Sequence, residues 1–170
     1  MGLSNAGKSS ILLSLNGKKN LMEFFRLKPT KRIDRDQIIK GKKKYLIWDF
    51  GGQKRYRNEY IRNLKNNDFT YLYSVDKVIF VIDVQDEGNY DEALDYLKII
   101  VQAIDKFNPD IKLSIFLHKF DPGLKEKEEF EEEVIKDRLI EKFEQIIPEN
   151  IDFEVFRTSI FTIFQKSLYY

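Results

Sequence analysis

Short, nearly unbroken apolar runs alternate along the chain with longer stretches in which apolar residues return every three or four positions. The short runs are Tyr45-Leu46-Ile47-Trp48, Val78-Ile79-Phe80-Val81-Ile82, Leu113-Ser114-Ile115-Phe116-Leu117 and Phe153-Glu154-Val155-Phe156. Runs of this length predict strands, and the lack of polar alternation predicts burial on both faces. Helical spacing covers Ser9–Leu15, Lys54–Lys65, Asn89–Phe107, Glu126–Ile147 and Ile160–Tyr170. Asn89–Phe107 carries the clearest pattern, with Leu94, Leu97, Ile100, Val101 and Ile104 on one face. Gln37–Ile39 and Lys44–Asp49, separated by Lys40-Gly41-Lys42-Lys43, read as a hairpin. Alternating strands and helices predict an α/β fold in three layers, doubly wound. Its sheet should be mostly parallel, with one antiparallel hairpin strand. Ligands of such sheets bind at the carboxyl ends of the strands. The glutamate-rich stretch Lys125–Glu133 reads as a solvent-facing helix start, where acidic side chains favour the positive end of the dipole.

Composition narrows this picture. A length of 170 residues is that of one domain, and 42% hydrophobic residues supply a core, which excludes global disorder. Cysteine is absent and His118 is the single histidine. Disulfides, thiolate or multi-histidine zinc sites, iron–sulfur clusters, cysteine nucleophiles and prenyl or palmitoyl anchors are therefore excluded. The formal net charge of +1 is split, since residues 1–65 carry 17 Lys and Arg against 5 Asp and Glu. A basic amino-terminal third suggests an anionic ligand there; the alternative is ordinary solvated surface charge. No apolar run reaches 18 residues, the amino terminus lacks a signal-peptide pattern, and Ala6 stands where myristoylation needs Ser or Thr. The chain reads as cytoplasmic, with any membrane recruitment left to partners. No aromatic-interleaved basic stripe supports nucleic-acid binding.

Gly2-Leu3-Ser4-Asn5-Ala6-Gly7-Lys8-Ser9 fits the phosphate-binding loop G-x-x-x-x-G-K-[ST]. Gly2 and Gly7 let backbone N–H groups, those of Asn5, Ala6 and Ser10 among them, wrap a phosphate. The helix starting near Lys8 turns its positive end to the same anion. Lys8 supplies a point charge to the outer phosphates, and the Ser9 hydroxyl ligates Mg²⁺. The bland alternative is a glycine-rich turn with an exposed lysine. Such a loop ordinarily follows a buried strand, and only Met1 precedes it. The expectation is a single domain over residues 1–170 that is truncated at its amino end.

The Tyr45–Trp48 strand runs into Asp49-Phe50-Gly51-Gly52-Gln53, 41 residues after Lys8. Asp49 reaches the sheet's carboxyl edge, where a carboxylate can hold Mg²⁺. Gly52 can offer its N–H to a γ-phosphate, and the Gln53 amide can orient an attacking water. Between the two motifs, the loop Phe25–Asp36 contains Thr30, a candidate to close on Mg²⁺ and the γ-phosphate. Arg26, Arg32, Arg55 and Arg57 lie close enough in sequence to serve as an internal arginine finger, and no spacing singles one out.

Leu117-His118-Lys119-Phe120-Asp121 ends the next apolar strand but one. Guanine offers two adjacent donors, N1–H and the 2-amino group, and one carboxylate accepts both, so Asp121 would select guanine over adenine. The Lys119 stem can cover the base plane, and the His118 imidazole can tie this loop to the phosphate loop. At the last strand end, Ser159 and the backbone of Ile160 are candidates to touch the guanine oxygen; Thr158 or Ser159 acting only as a helix cap is the alternative.

These four motifs, in this order, resemble the small GTPase superfamily over almost the whole chain. His118-Lys119-Phe120-Asp121, Trp48-Asp49-Phe50-Gly51-Gly52-Gln53, Val81-Ile82-Asp83-Val84 and Thr158-Ser159-Ile160-Phe161 are most similar to the Rag/Gtr GTPases, with the Arf group second. The resemblance implies a Mg²⁺-dependent GTP/GDP switch with slow hydrolysis. It also implies an exchange factor, an activating protein and effectors as partners, and a second G domain as a further candidate. The roadblock-type domain through which Rag proteins pair does not occur in these residues. The rival reading is a non-catalytic interaction module with weak nucleotide binding or none.

Overall fold

The computed structural model describes residues 1–17 and 21–160. Helix α1 is Lys8–Leu15 and α2 is Leu21–Phe25. Strands β1 (Ile33–Lys40) and β2 (Lys43–Phe50) form the expected hairpin. Gly41, at φ 60, is the first central residue of its two-residue turn, a position that needs a positive φ in type II′ geometry. Helix α3 (Lys54–Lys65) has the predicted bounds. Strand β3 (Lys77–Asp83), helix α4 (Tyr90–Phe107), strand β4 (Lys112–His118) and strand β5 (Phe153–Arg157) follow. Between β4 and β5 lie α5 (Glu132–Ile135) and α6 (Glu141–Ile146).

Strands β3, β4 and β5 make a parallel sheet in that order, and the hairpin is a separate antiparallel pair. Residues Met1–Leu3 run between them. Gly2 bridges in parallel to Val81 on one side. The Leu3 carbonyl meets Gly52 on the other, so closely that a Cβ on Gly52 would lie 2.3 Å from the oxygen. The phosphate-loop segment thus starts between β3 and the end of β2.

The core follows from register. Val78, Phe80 and Ile82 stand beside Leu113, Ile115 and Leu117, and all six are buried. Helix α4 covers them, with Leu97, Val101 and Ile104 wholly enclosed and Phe80 meeting Tyr96 edge-on at 5.7 Å. Each such apolar side chain contributes about 1.5–3 kcal/mol.

Several expectations need correction. Burial on both faces holds for the interior of β4 and for Phe80–Ile82 of β3, but not for Ile79, which is 38% exposed, or for the other two apolar runs. Leu46 is 74% exposed in the hairpin, and β5 is half-exposed along its length. Strand β1 begins at Ile33, so the loop expected over Phe25–Asp36 shrinks to residues 26–32. Ile33-Asp34-Arg35-Asp36-Gln37 is polar because that part of the strand faces solvent, which hid it from an apolar pattern. The helix expected from Glu126 begins at Glu132, after two 3₁₀ turns, and passes through a π-helical segment, Lys136–Ile140, between α5 and α6. Asn89 belongs to a 3₁₀ turn before α4. The helix expected over Ile160–Tyr170 lies, after Ile160, outside the described residues.

Arg57 of α3 is buried against α4. Its Nη2 pairs with Glu92 Oε1 at 2.7 Å, and its guanidinium lies 5.8 Å from the Tyr96 ring centroid. Arg57 Nε and the Tyr96 hydroxyl are buried without hydrogen-bond partners. Removing Glu92 strands a buried charge, whereas removing Arg57 does not. Glu92→Ala is expected to cost about 1–2 kcal/mol, discounted because Glu92 is 43% exposed, and to lower Tm by about 3–6 °C. Arg57→Met should cost less. Paired thermal melts in which Arg57→Met proves the worse of the two would refute this account.

Candidate functional site

Residues 2–10 wrap the carboxyl end of β3 and lead into α1. Asn5 and Gly7 adopt positive φ values of 61 and 85, which curls the loop so that successive N–H groups can converge on an anion. The Lys8 ammonium lies inside the loop and donates to the Leu3 carbonyl at 2.6 Å. Burial pushes its pKa from 10.5 down to about 8, with the Asp49 carboxylate acting against that shift and Arg57 adding to it.

Ser9, Thr30 and Asp49 come together from three elements. Ser9 Oγ donates to Asp49 Oδ2 at 2.5 Å, Thr30 Oγ1 donates to the same oxygen at 3.0 Å, and the two hydroxyls are 2.9 Å apart. Asp49 is 9% exposed. Two hydroxyls and a carboxylate, all hard oxygen donors, fit Mg²⁺ in chemistry and number, since this ion keeps several waters and takes few protein ligands.

A cleft of about 390 Å³ joins these groups. Its walls are the phosphate loop from Ser4 to Ser10, Leu27–Thr30 of the loop before β1, Gly52 with Gln53, and Lys119. Gln53 lines the cleft, and its Oε1 accepts from Arg55 Nε at 3.2 Å. Arg55 also stacks on Tyr56. Arg57, held by Glu92, is directed away into the helix interface.

The base-side residues gather at the far end. His118 is 3% exposed, and its ring presses on the phosphate loop: a Cβ on Gly7 would lie 2.4 Å from His118 Cδ2. His118 Nδ1 and Thr158 Oγ1 are 2.9 Å apart. Burial lowers the histidine's pKa, helped by the Lys119 charge. Lys119, at φ 62, pairs through Nζ with Asp83 Oδ2 at 2.6 Å. The Ser159 hydroxyl donates to Asp121 Oδ1, so this serine touches the carboxylate expected to read the base. Ile160 is half-buried after β5, and the cap expected of Thr158 or Ser159 concerns a helix outside the described residues.

Asp83 and Gln85 were not foreseen as site residues. The Gln85 amide nitrogen lies 2.7 Å from the Lys119 carbonyl and 3.0 Å from Asp121 Oδ2. The clue was parallel register: β3 and β4 end together, with Asp83 opposite His118, so both strand ends face one ligand edge.

The pattern describing the Gtr1/RagA G protein conserved region matches residues 1–170. The chain belongs to the Gtr1/RagA G-protein family. Members of this Gtr1/RagA group are small GTPases, and the match is to the Rag-like branch that the four motifs suggested. Ras-related GTP-binding protein C of Mus musculus is 35% identical over 133 residues, covering 77% of this chain and 31% of that protein. GTP-binding protein gtr2 of Schizosaccharomyces pombe is 32% identical over 163 residues, covering 95% of this chain and 49% of that protein. The chain thus spans about a third to a half of the curated relatives it matches. In structure, the Gtr1/RagA-family chain is similar to the Arl6 BBS3 small GTPase from Trypanosoma brucei with bound nucleotide analogue GppNp. The TM-score is 0.66 at 18% identity, over 93% of this chain and 83% of that one. That likeness shows the Ras-like fold, α/β with a mostly parallel sheet and an antiparallel hairpin. Among the described residues, no helix is long and apolar enough to cross a membrane.

Proposed function

We propose that the chain is a guanine-nucleotide switch that binds GTP and GDP and slowly hydrolyses GTP. The observation that carries this reading is the single cleft that runs from Lys8 and Ser9 past Thr30 and Gly52 to Lys119. A nucleoside triphosphate would lie along it, with phosphates at the loop and base beyond Lys119.

Each group has a task in this reading. Backbone N–H groups of Asn5 to Ser10 and the Lys8 ammonium bind the phosphates. Ser9, Thr30 and Asp49 would hold Mg²⁺, which when bound neutralises charge on the outer phosphates. Gly52 brings its N–H close because it lacks a side chain. Gln53 turns its amide from Arg55 to a water placed in line with the γ-phosphorus. As the P–O bond to the β-phosphate breaks, that water's oxygen bonds to phosphorus, GDP leaves with the bridging oxygen, and phosphate carries the water's protons. Asp121 accepts N1–H and the 2-amino group of guanine. His118 braces the phosphate loop, and Lys119 lies against the base. Without a further positive charge at the γ-phosphate, turnover stays slow, because Arg57 is held by Glu92 in the helix interface and Arg55 lies stacked on Tyr56. A partner protein would then supply the rate, and an exchange factor the release of GDP.

A fluorescent GDP titration with and without Mg²⁺ tests the binding. Saturable binding, weakened by chelation and competed by GTP but not ATP, is the expected result. Gln53→Leu should keep the affinity and slow single-turnover GTP hydrolysis about tenfold. A folded chain that binds no GDP would instead make it a non-catalytic interaction module.

A further inference from the structure

The turn after β3 is tied to the base-side loop by more contacts than a simple connection needs. Asp83 divides its carboxylate between two donors. Oδ1 accepts the Gln85 backbone N–H at 3.0 Å, and Oδ2 accepts Lys119 Nζ at 2.6 Å. The Gln85 amide nitrogen has two hydrogens and two acceptors, the Lys119 carbonyl at 2.7 Å and Asp121 Oδ2 at 3.0 Å. The other Asp121 oxygen accepts from Ser159. Each carboxylate oxygen has two lone-pair sites, so one site per oxygen stays free. A guanine needs two adjacent acceptors of that kind.

We propose that Gln85 is a positioning residue for base recognition, acting through Asp121 to set how strictly guanine is preferred. The inference rests on the reading of Asp121 as the guanine acceptor. Ser159 alone holds one oxygen and leaves the carboxylate free to turn about its Cβ–Cγ bond. A second donor on the other oxygen fixes the plane, so that both free lone pairs meet the base together. The same amide holds the carbonyl of Lys119, a residue in left-handed backbone at φ 62, and so fixes the direction of the loop that carries Asp121. Gln85 is exposed and outside the core, so its influence falls on the base site and not on the fold.

The test compares GDP with IDP, which lacks only the 2-amino group, by titration of the full chain. Gln85→Ala should weaken GDP about tenfold and IDP about twofold, narrowing the preference about fivefold, with Tm unchanged. Gln85→Glu should weaken GDP further, because a carboxylate would face Asp121 and the Lys119 carbonyl. In an Asp121→Ala background, Gln85→Ala should lose most of its effect. Two outcomes overturn the proposal: an unchanged GDP-to-IDP ratio, or an undiminished effect of Gln85→Ala when the Asp121 carboxylate is already absent. Failure of the underlying reading looks different, since the unaltered chain would then bind no GDP, or would bind ADP as well as GDP.

Discussion

Lys8→Met is expected to weaken nucleotide binding about a thousandfold while raising the Tm of the nucleotide-free chain. Both effects come from one buried ammonium. It sits inside the phosphate loop, 2.6 Å from the Leu3 carbonyl, and burial holds its pKa near 8 instead of 10.5. The folded chain therefore binds this proton less tightly than the unfolded chain does. The penalty is fully present below pH 8 and is relieved as the pH rises from 8 to 10.5. Removing the charge at neutral pH removes the penalty, and Tm should rise by a few degrees, reduced by loss of the bond to Leu3. Binding moves the other way. Charge-assisted bonds to two phosphates are worth about 4 kcal/mol together, so affinity should fall about a thousandfold.

The same linkage predicts a pH dependence. Bound phosphates favour the charged ammonium, so above pH 8 binding must take up a proton. GDP affinity should hold steady up to about pH 8 and then fall by up to about tenfold per unit. Titrations from pH 7 to 10 check this. A flat profile would contradict the placement of a neutralisable Lys8 against the phosphates.

Gly52→Ala should weaken GTP about a hundredfold without unfolding the chain. Its Cβ would stand 2.3 Å from the Leu3 oxygen, 2.4 Å from the Leu3 carbon and 2.6 Å from Lys8 Nζ. Two of these are backbone atoms and cannot swing aside, so the phosphate loop itself must shift. Overpacking of this kind costs about 1–3 kcal/mol, here concentrated at the place proposed for the outer phosphates. GDP, which lacks the γ-phosphate nearest Gly52, should lose less. Gly88 gives the control, because a Cβ there meets nothing within 4 Å, and Gly88→Ala should bind like the unaltered chain. If Gly52→Ala and Gly88→Ala have equal GTP affinities, the steric argument fails.

Much of this site was legible in the sequence because its parts are local motifs with fixed element contexts. Lys8 opens a helix, Asp49 closes a strand, and His118 ends another. Strand–helix alternation then brings such ends to one edge. Thr30 was harder, since a threonine in a loop carries no pattern of its own. Only its contacts with Ser9 and Asp49 distinguish it. Asp83 and Gln85 carry no such signal, because their place beside Lys119 and Asp121 depends on the register between β3 and β4, which no local spacing encodes. In the fold, polar exposed residues hid the start of β1. Dense glutamates made Glu126–Glu131 look helical, although two 3₁₀ turns occupy that stretch.

The Arg57–Glu92 pair bears on motion as well as on stability. Four residues before it, Gln53 caps α3, and its carbonyl accepts the N–H groups of Tyr56 and Arg57 at 2.9 and 3.0 Å. One residue before Gln53, Gly52 is wedged on the Leu3 backbone. The amide proposed to orient the water is thus strung between two anchored points, one on the phosphate loop and one on α4. In that reading its reorientation falls to the side chain and a single turn of backbone, a few residues and not a sliding helix.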